Sequence, residues 1–102
     1  MKKIAIVADG WRRYINYAWI SGCRQYIKEK KLDAQLYVFY AFGNFSKDEK
    51  YNQGEYNIIT LPDFRQFDGI IVELTNVLKR KYARKIIDTI RTSKVPAVSL
   101  LE

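Results

Sequence analysis

Phe67-Asp68-Gly69-Ile70-Ile71-Val72-Glu73-Leu74-Thr75-Asn76 is a strand-like run that ends in a polar cluster. A basic amphipathic stretch follows it, and then Val95-Pro96-Ala97-Val98-Ser99-Leu100. A buried strand, a crossover helix and a second buried strand form a βαβ unit, which requires a parallel sheet. Ligands of such sheets bind at the carboxyl ends of the strands. The stretch therefore indicates both the fold and the edge where function belongs.

Working outward, Lys2 to Ala8 reads as a first strand, because Ile4, Ile6 and Val7 are apolar and β-branched without polar alternation. Asp9-Gly10 breaks it. Trp11 to Lys31 has helical spacing, with Ile15, Ala18, Trp19, Gly22, Cys23, Tyr26 and Ile27 on one stripe. Lys28, Lys30 and Lys31 fall in its last turn, where cations favour the helix dipole. Gly22 in that stripe suggests close approach of helix to sheet. Leu36 to Ala41 is an aromatic, β-branched second strand. Ser46 to Gly54 is polar and reads as a loop. Glu55 to Leu61 fits a short helix or a strand, and the need for a crossover favours the helix. Phe67 to Glu73 is the third strand. Lys79 to Thr92 is a helix with Tyr82, Ala83, Ile86, Ile87 and Ile90 inward, and Ala97 to Leu100 is the fourth strand. The expectation is an α/β three-layer sandwich with a four-stranded parallel sheet in the order 2-1-3-4, a Rossmann/flavodoxin-like arrangement with its switch point between strands 1 and 3.

Composition narrows the chemistry. A chain of 102 residues is one domain at most, and 48% apolar with 28% charged residues is a globular mixture. No apolar run is long enough for a membrane span. The first residues meet Asp9 too early for a signal peptide, so a cytoplasmic location is expected. A single cysteine, Cys23, excludes an internal disulfide, and the lack of histidine removes the usual general base and zinc ligand. The expectation is a non-enzymatic chain with no cofactor or metal. The net charge of +7 fits an anionic partner or simple solubility.

In this arrangement four loops share one edge. They carry Asp9, Trp11, Arg12 and Tyr14 after strand 1, Phe42 and Asn44 after strand 2, Glu73 and Asn76 after strand 3, and the residues beyond Ser99. Aromatic faces, carboxylates, amides and guanidinium groups suit a small polar ligand of the sugar or nucleoside class. Each residue also has a plainer reading. Asp9 and Asn76 are good N-caps, Trp11 can cover the sheet edge, and Tyr14 and Phe42 can pack. Glu73 ends a buried strand and needs a partner or solvent, which Arg12 or Arg13 could supply. The rival reading is a basic domain binding nucleic acid through Lys79, Arg80, Lys81, Arg84 and Lys85, a row that a solvated helix face also explains. A receiver domain needs clustered acids after strand 1, and a dinucleotide-binding domain needs a glycine-rich first turn; neither is present.

Lys3-Ile4-Ala5-Ile6-Val7 resembles the opening of the type I periplasmic-binding-protein fold used in LacI/GalR-type regulators. Phe67 to Val72 resembles its third strand, and Val95 to Leu100 its fourth. Asp9-Gly10-Trp11, Gly54-Glu55-Tyr56-Asn57-Ile58 and Leu61-Pro62 look like segments of the cytoplasmic sensor domains that precede GGDEF-type diguanylate cyclases in some Firmicutes. The resemblance spans nearly the whole chain. It implies that residues 1–100 are the N-terminal lobe of a ligand sensor, that a second lobe completes the cleft, and that the parent pairs as a homodimer. No helix-turn-helix precedes strand 1 as in a LacI-type repressor. Leu101-Glu102 reads as a cloning remnant.

Overall fold

The computed structural model describes residues 1–9, 13–41, 48–59, 61–74 and 80–100, with the backbone alone described at 9, 13, 41, 52, 56, 58 and 59. In chain order the elements are β1 (Lys2–Asp9), α1 (Arg13–Glu29), β2 (Ala34–Ala41), α2 (Glu49–Ile59), β3 (Gly69–Glu73), α3 (Arg80–Ser93) and β4 (Ala97–Ser99). A single 3-10 turn, Phe64–Gln66, precedes β3. The four strands form one all-parallel sheet in the order β2-β1-β3-β4, as the sequence led us to expect.

Right-handed crossovers distribute the helices. The step from β1 to β2 runs one way across the sheet. The steps from β2 to β3 and from β3 to β4 run the other way, so α2 and α3 share the face opposite α1. Each face has its own core. Under α1, Ile20 packs on Ile6 and Ala8, with Trp19, Leu36, Val38, Tyr40 and Ile71 around them. Under α3, Tyr82, Ile86 and Ile90 pack on Ala5, Val7, Ile70 and Val72, and Phe64 of the 3-10 turn closes the cluster. Strand alternation sends Ile70 to one face and Ile71 to the other.

The amino ends of β1 and β3 are bracketed by Asp68. Its N–H donates to the Lys3 carbonyl at 2.8 Å, and its carboxylate accepts the Lys3 N–H at 2.8 Å. Asp63 caps the 3-10 turn by accepting the Arg65 N–H.

Five expectations need correction. The segment read as a loop from Ser46 to Gly54 is helical from Glu49, because the Asp48 carboxylate accepts the Lys50 N–H at 3.0 Å and starts the helix. Gly54 sits in this helix without a positive φ, and residues 46 and 47 lie outside the described residues. The inward side of α1 is rotated from the expected stripe: Asn16 and Ile20 are buried, while Ile15 and Tyr26 are exposed. An added Cβ at Gly22 meets nothing within 4 Å, so no close approach depends on it. Finally, β4 is exposed throughout, not buried. Between α1 and the sheet lies an open apolar groove of about 610 Å³, lined by Trp19, Cys23 and Ile27 of the helix and by Leu36, Ile71 and Val98 of the strands among others. Ile87 of α3, expected inward, is also exposed. The side chains of Tyr56, Ile58 and Ile59 in α2 lie outside the described residues.

Candidate functional site

The strand register defines the carboxyl edge. Asp9 lies opposite Ala41, Ala8 opposite Glu73, and Val72 opposite Ser99. The chain thus brings the ends of β1 and β3, where the strand order reverses, to the centre of this edge.

Two polar side chains are buried among the described residues: Asn16 and Glu73, at 0% and 1% exposure. They belong to one place. Glu73 shares the face of Ile71 and of its neighbour Ala8 by strand alternation. That is the face under α1. Ile20 packs on Ala8, and Asn16 lies one helical turn before Ile20, toward the end of α1 that meets the carboxyl edge. The indole N–H of Trp19 donates to the Asn16 side-chain oxygen at 3.0 Å and orients that amide. Burying a carboxylate and an amide is costly unless they are hydrogen-bonded. The aromatic end of β2 adds Tyr40, whose hydroxyl is pushed above its ordinary pKa by burial, with Arg24 acting in the opposite direction.

Of the residues proposed from sequence, Glu73 stands in this edge. The backbone of Asp9 ends β1 there, but its side chain lies outside the described residues. Tyr14 opens α1 and is 93% exposed. Trp11, Arg12, Phe42, Asn44 and Asn76 lie outside the described residues. Asn16 was not foreseen: an isolated amide among Tyr, Ile, Ala and Trp reads as outward-facing when the helical stripe is drawn through Ile15 and Trp19. Its position four residues before Ile20 was the available signal.

The basic row on α3 is partly committed to structure. Lys81 pairs with Glu49 of α2 at 2.9 Å and stacks over the Tyr82 ring at 5.1 Å. Lys85 donates to the Asn57 side-chain oxygen at 3.0 Å. Arg80 and Arg84 are exposed, Asp88 interrupts the row, and Lys79 lies outside the described residues. Among the described residues no three His, Cys, Asp or Glu side chains cluster as a metal site, and no helix is long and apolar enough to cross a membrane. No family model, curated protein or solved structure matches this chain.

Proposed function

We propose that this chain is a non-enzymatic sensory lobe that takes a small polar ligand, of the sugar or nucleoside class, at the carboxyl edge of its sheet. The observation that supports this reading is the pair of buried polar side chains, Glu73 and Asn16, on one face at the switch point. A carboxylate accepts hydrogen bonds from hydroxyl or amine groups, and an amide both donates and accepts. In the resemblance to LacI/GalR-type sensors, a second lobe closes over the ligand. The closed state then biases an output domain, such as a diguanylate cyclase, by differential affinity. The parent would act in the cytoplasm as a homodimer.

The test is a ligand titration of the 15N-labelled chain with pentoses, hexoses and nucleosides, followed by amide shifts. We expect weak, saturable binding, because one lobe supplies half of a cleft. Its shifts should centre on Ala8, Asn16 and Glu73, and Glu73→Gln should weaken it about tenfold, as expected when a hydrogen bond to a charged group is lost. Shifts that centre instead on α3, driven by generic RNA and abolished by moderate salt, would sink the sensory reading and favour the nucleic-acid one.

A further inference from the structure

Among the described residues, β2 is an edge strand that carries none of the charges, prolines or bulges that protect natural edges. Its eight residues, Ala34-Gln35-Leu36-Tyr37-Val38-Phe39-Tyr40-Ala41, contain no charge, proline or glycine. It runs beside β1 in unbroken register, with no bulge to twist it away. Among the described residues no strand pairs with its outer side. The opposite edge, β4, is only three residues long. The direction of the outer bonds can be read from one contact: the Lys2 N–H donates to the Asp33 carbonyl at 2.8 Å. In a parallel ladder, successive residues turn their backbone groups to alternate sides. Gln35, Tyr37 and Phe39 therefore face β1, and Leu36, Val38 and Tyr40 turn their N–H and C=O outward.

We propose that β2 pairs antiparallel with β2 of a second copy of this chain, about a two-fold axis through Val38, joining the two sheets into one of eight strands. The sequence of β2 is complementary to its own reversal. With Val38 opposite Val38, Leu36 of each copy faces Tyr40 of the other, and these outward residues exchange N–H···O=C bonds. On the other face, Tyr37 of each copy meets Phe39 of the other. Both already belong to an aromatic cluster: Tyr37 is edge-on to Phe67 at 5.4 Å, and Phe39 is edge-on to Phe67 at 5.9 Å and to Phe64 at 6.3 Å. Pairing continues that cluster across the axis, and such cross-strand aromatic pairs stabilise sheets. Charge selects a second copy as well. In a chain of net charge +7, β2 is an uncharged stretch, so two copies meet where repulsion is least. A charged peptide partner would find no counter-charge on it. The interface is isologous and closes at two copies. It requires no ligand and stands apart from the sensory reading.

Sedimentation velocity over a wide range of protein concentration, on nuclease-treated protein, reads the association. We expect a concentration-dependent shift from monomer to dimer that strengthens with added salt, because the interface is neutral and the copies repel. Val38→Pro deletes an outward N–H and keeps the β1 ladder, so it should abolish the dimer while circular dichroism stays native. In the wild type, exchange of the Leu36 and Val38 amides should slow as concentration rises, whether or not the proline variant folds. A monomer at all concentrations, a dimer retained by folded Val38→Pro, or exchange at Leu36 and Val38 that ignores concentration each overturns the proposal.

Discussion

Tyr82 shows how one side chain links two helices and gives the fold a pH dependence. Its ring is buried under α3 and its hydroxyl donates to the Glu49 carboxylate of α2, which also receives Lys81. Burial, then the bond to Glu49, holds the phenol above its ordinary pKa of 10.0. A raised acid is protonated more readily in the folded state, so its contribution is complete below the unfolded pKa. The contribution is lost as pH rises through the folded value. Stability should fall above about pH 10, and Tyr82→Phe should flatten that fall. The same variant should cost about 1.5 kcal/mol at neutral pH, since it removes a hydrogen bond to a charged group. Urea denaturation at both pH values checks this. Gly22 gives the opposite sign. It lies mid-helix and exposed, with nothing within 4 Å of an added Cβ. Gly22→Ala should therefore stabilise by about 0.5–1 kcal/mol through helix propensity, seen as a higher urea midpoint with unchanged slope.

At the scale of elements, α3 carries its stability on one face. Ile86 is 1% exposed and Ile87 is 38% exposed, although both fall on the apolar stripe read from sequence. Ile86→Ala leaves a cavity against Ala5 and Val7 and should cost about 3 kcal/mol, whereas Ile87→Ala should cost under about 1 kcal/mol. Equal losses in urea denaturation would mean that the helix is rotated from the face described. The helix ends are a second place to intervene. Lys31 and Lys94 follow α1 and α3 with φ of 53° and 61°. At α1 the Lys31 and Leu32 N–H groups return to the Lys28 and Ile27 carbonyls, the pattern that glycine favours. Lys31→Gly and Lys94→Gly should each raise stability by about 0.5–1 kcal/mol. Element order and strand order were legible in the sequence because short, nearly continuous apolar runs alternate with segments of helical spacing. The start of α2 was not, since Asn52 and Gly54 resemble turn residues and the deciding feature is one capping bond from Asp48. Glu73 was legible at the candidate site because a carboxylate ending an apolar strand is conspicuous. Asn16 was not, because its burial depends on a helical rotation that only packing sets.

For the molecule as a whole, the decisive imbalance is charge. Eighteen Lys and Arg stand against eleven Asp and Glu, giving +7. Three ion pairs on the described surface, Met1 amine with Asp33, Arg65 with Asp63 and Lys81 with Glu49, involve solvent-exposed groups. Such pairs contribute little individually, and salt weakens them. The same salt screens the repulsion among the surplus cations, which destabilises the compact state. Two effects of opposite sign therefore compete, and the surplus charges outnumber those three pairs. We expect the urea midpoint to rise as sodium chloride is raised from low to physiological ionic strength. The measurement belongs at a concentration low enough to keep the chain monomeric, so that any salt-driven association through β2 does not contribute. Replacing Arg80 and Arg84 by Gln removes two surplus charges from an exposed helix face and should flatten the salt response while leaving the midpoint at high salt nearly unchanged. A midpoint that falls with salt would mean that the surface pairs outweigh the repulsion. In that case the two Arg→Gln substitutions should leave the salt slope as it was.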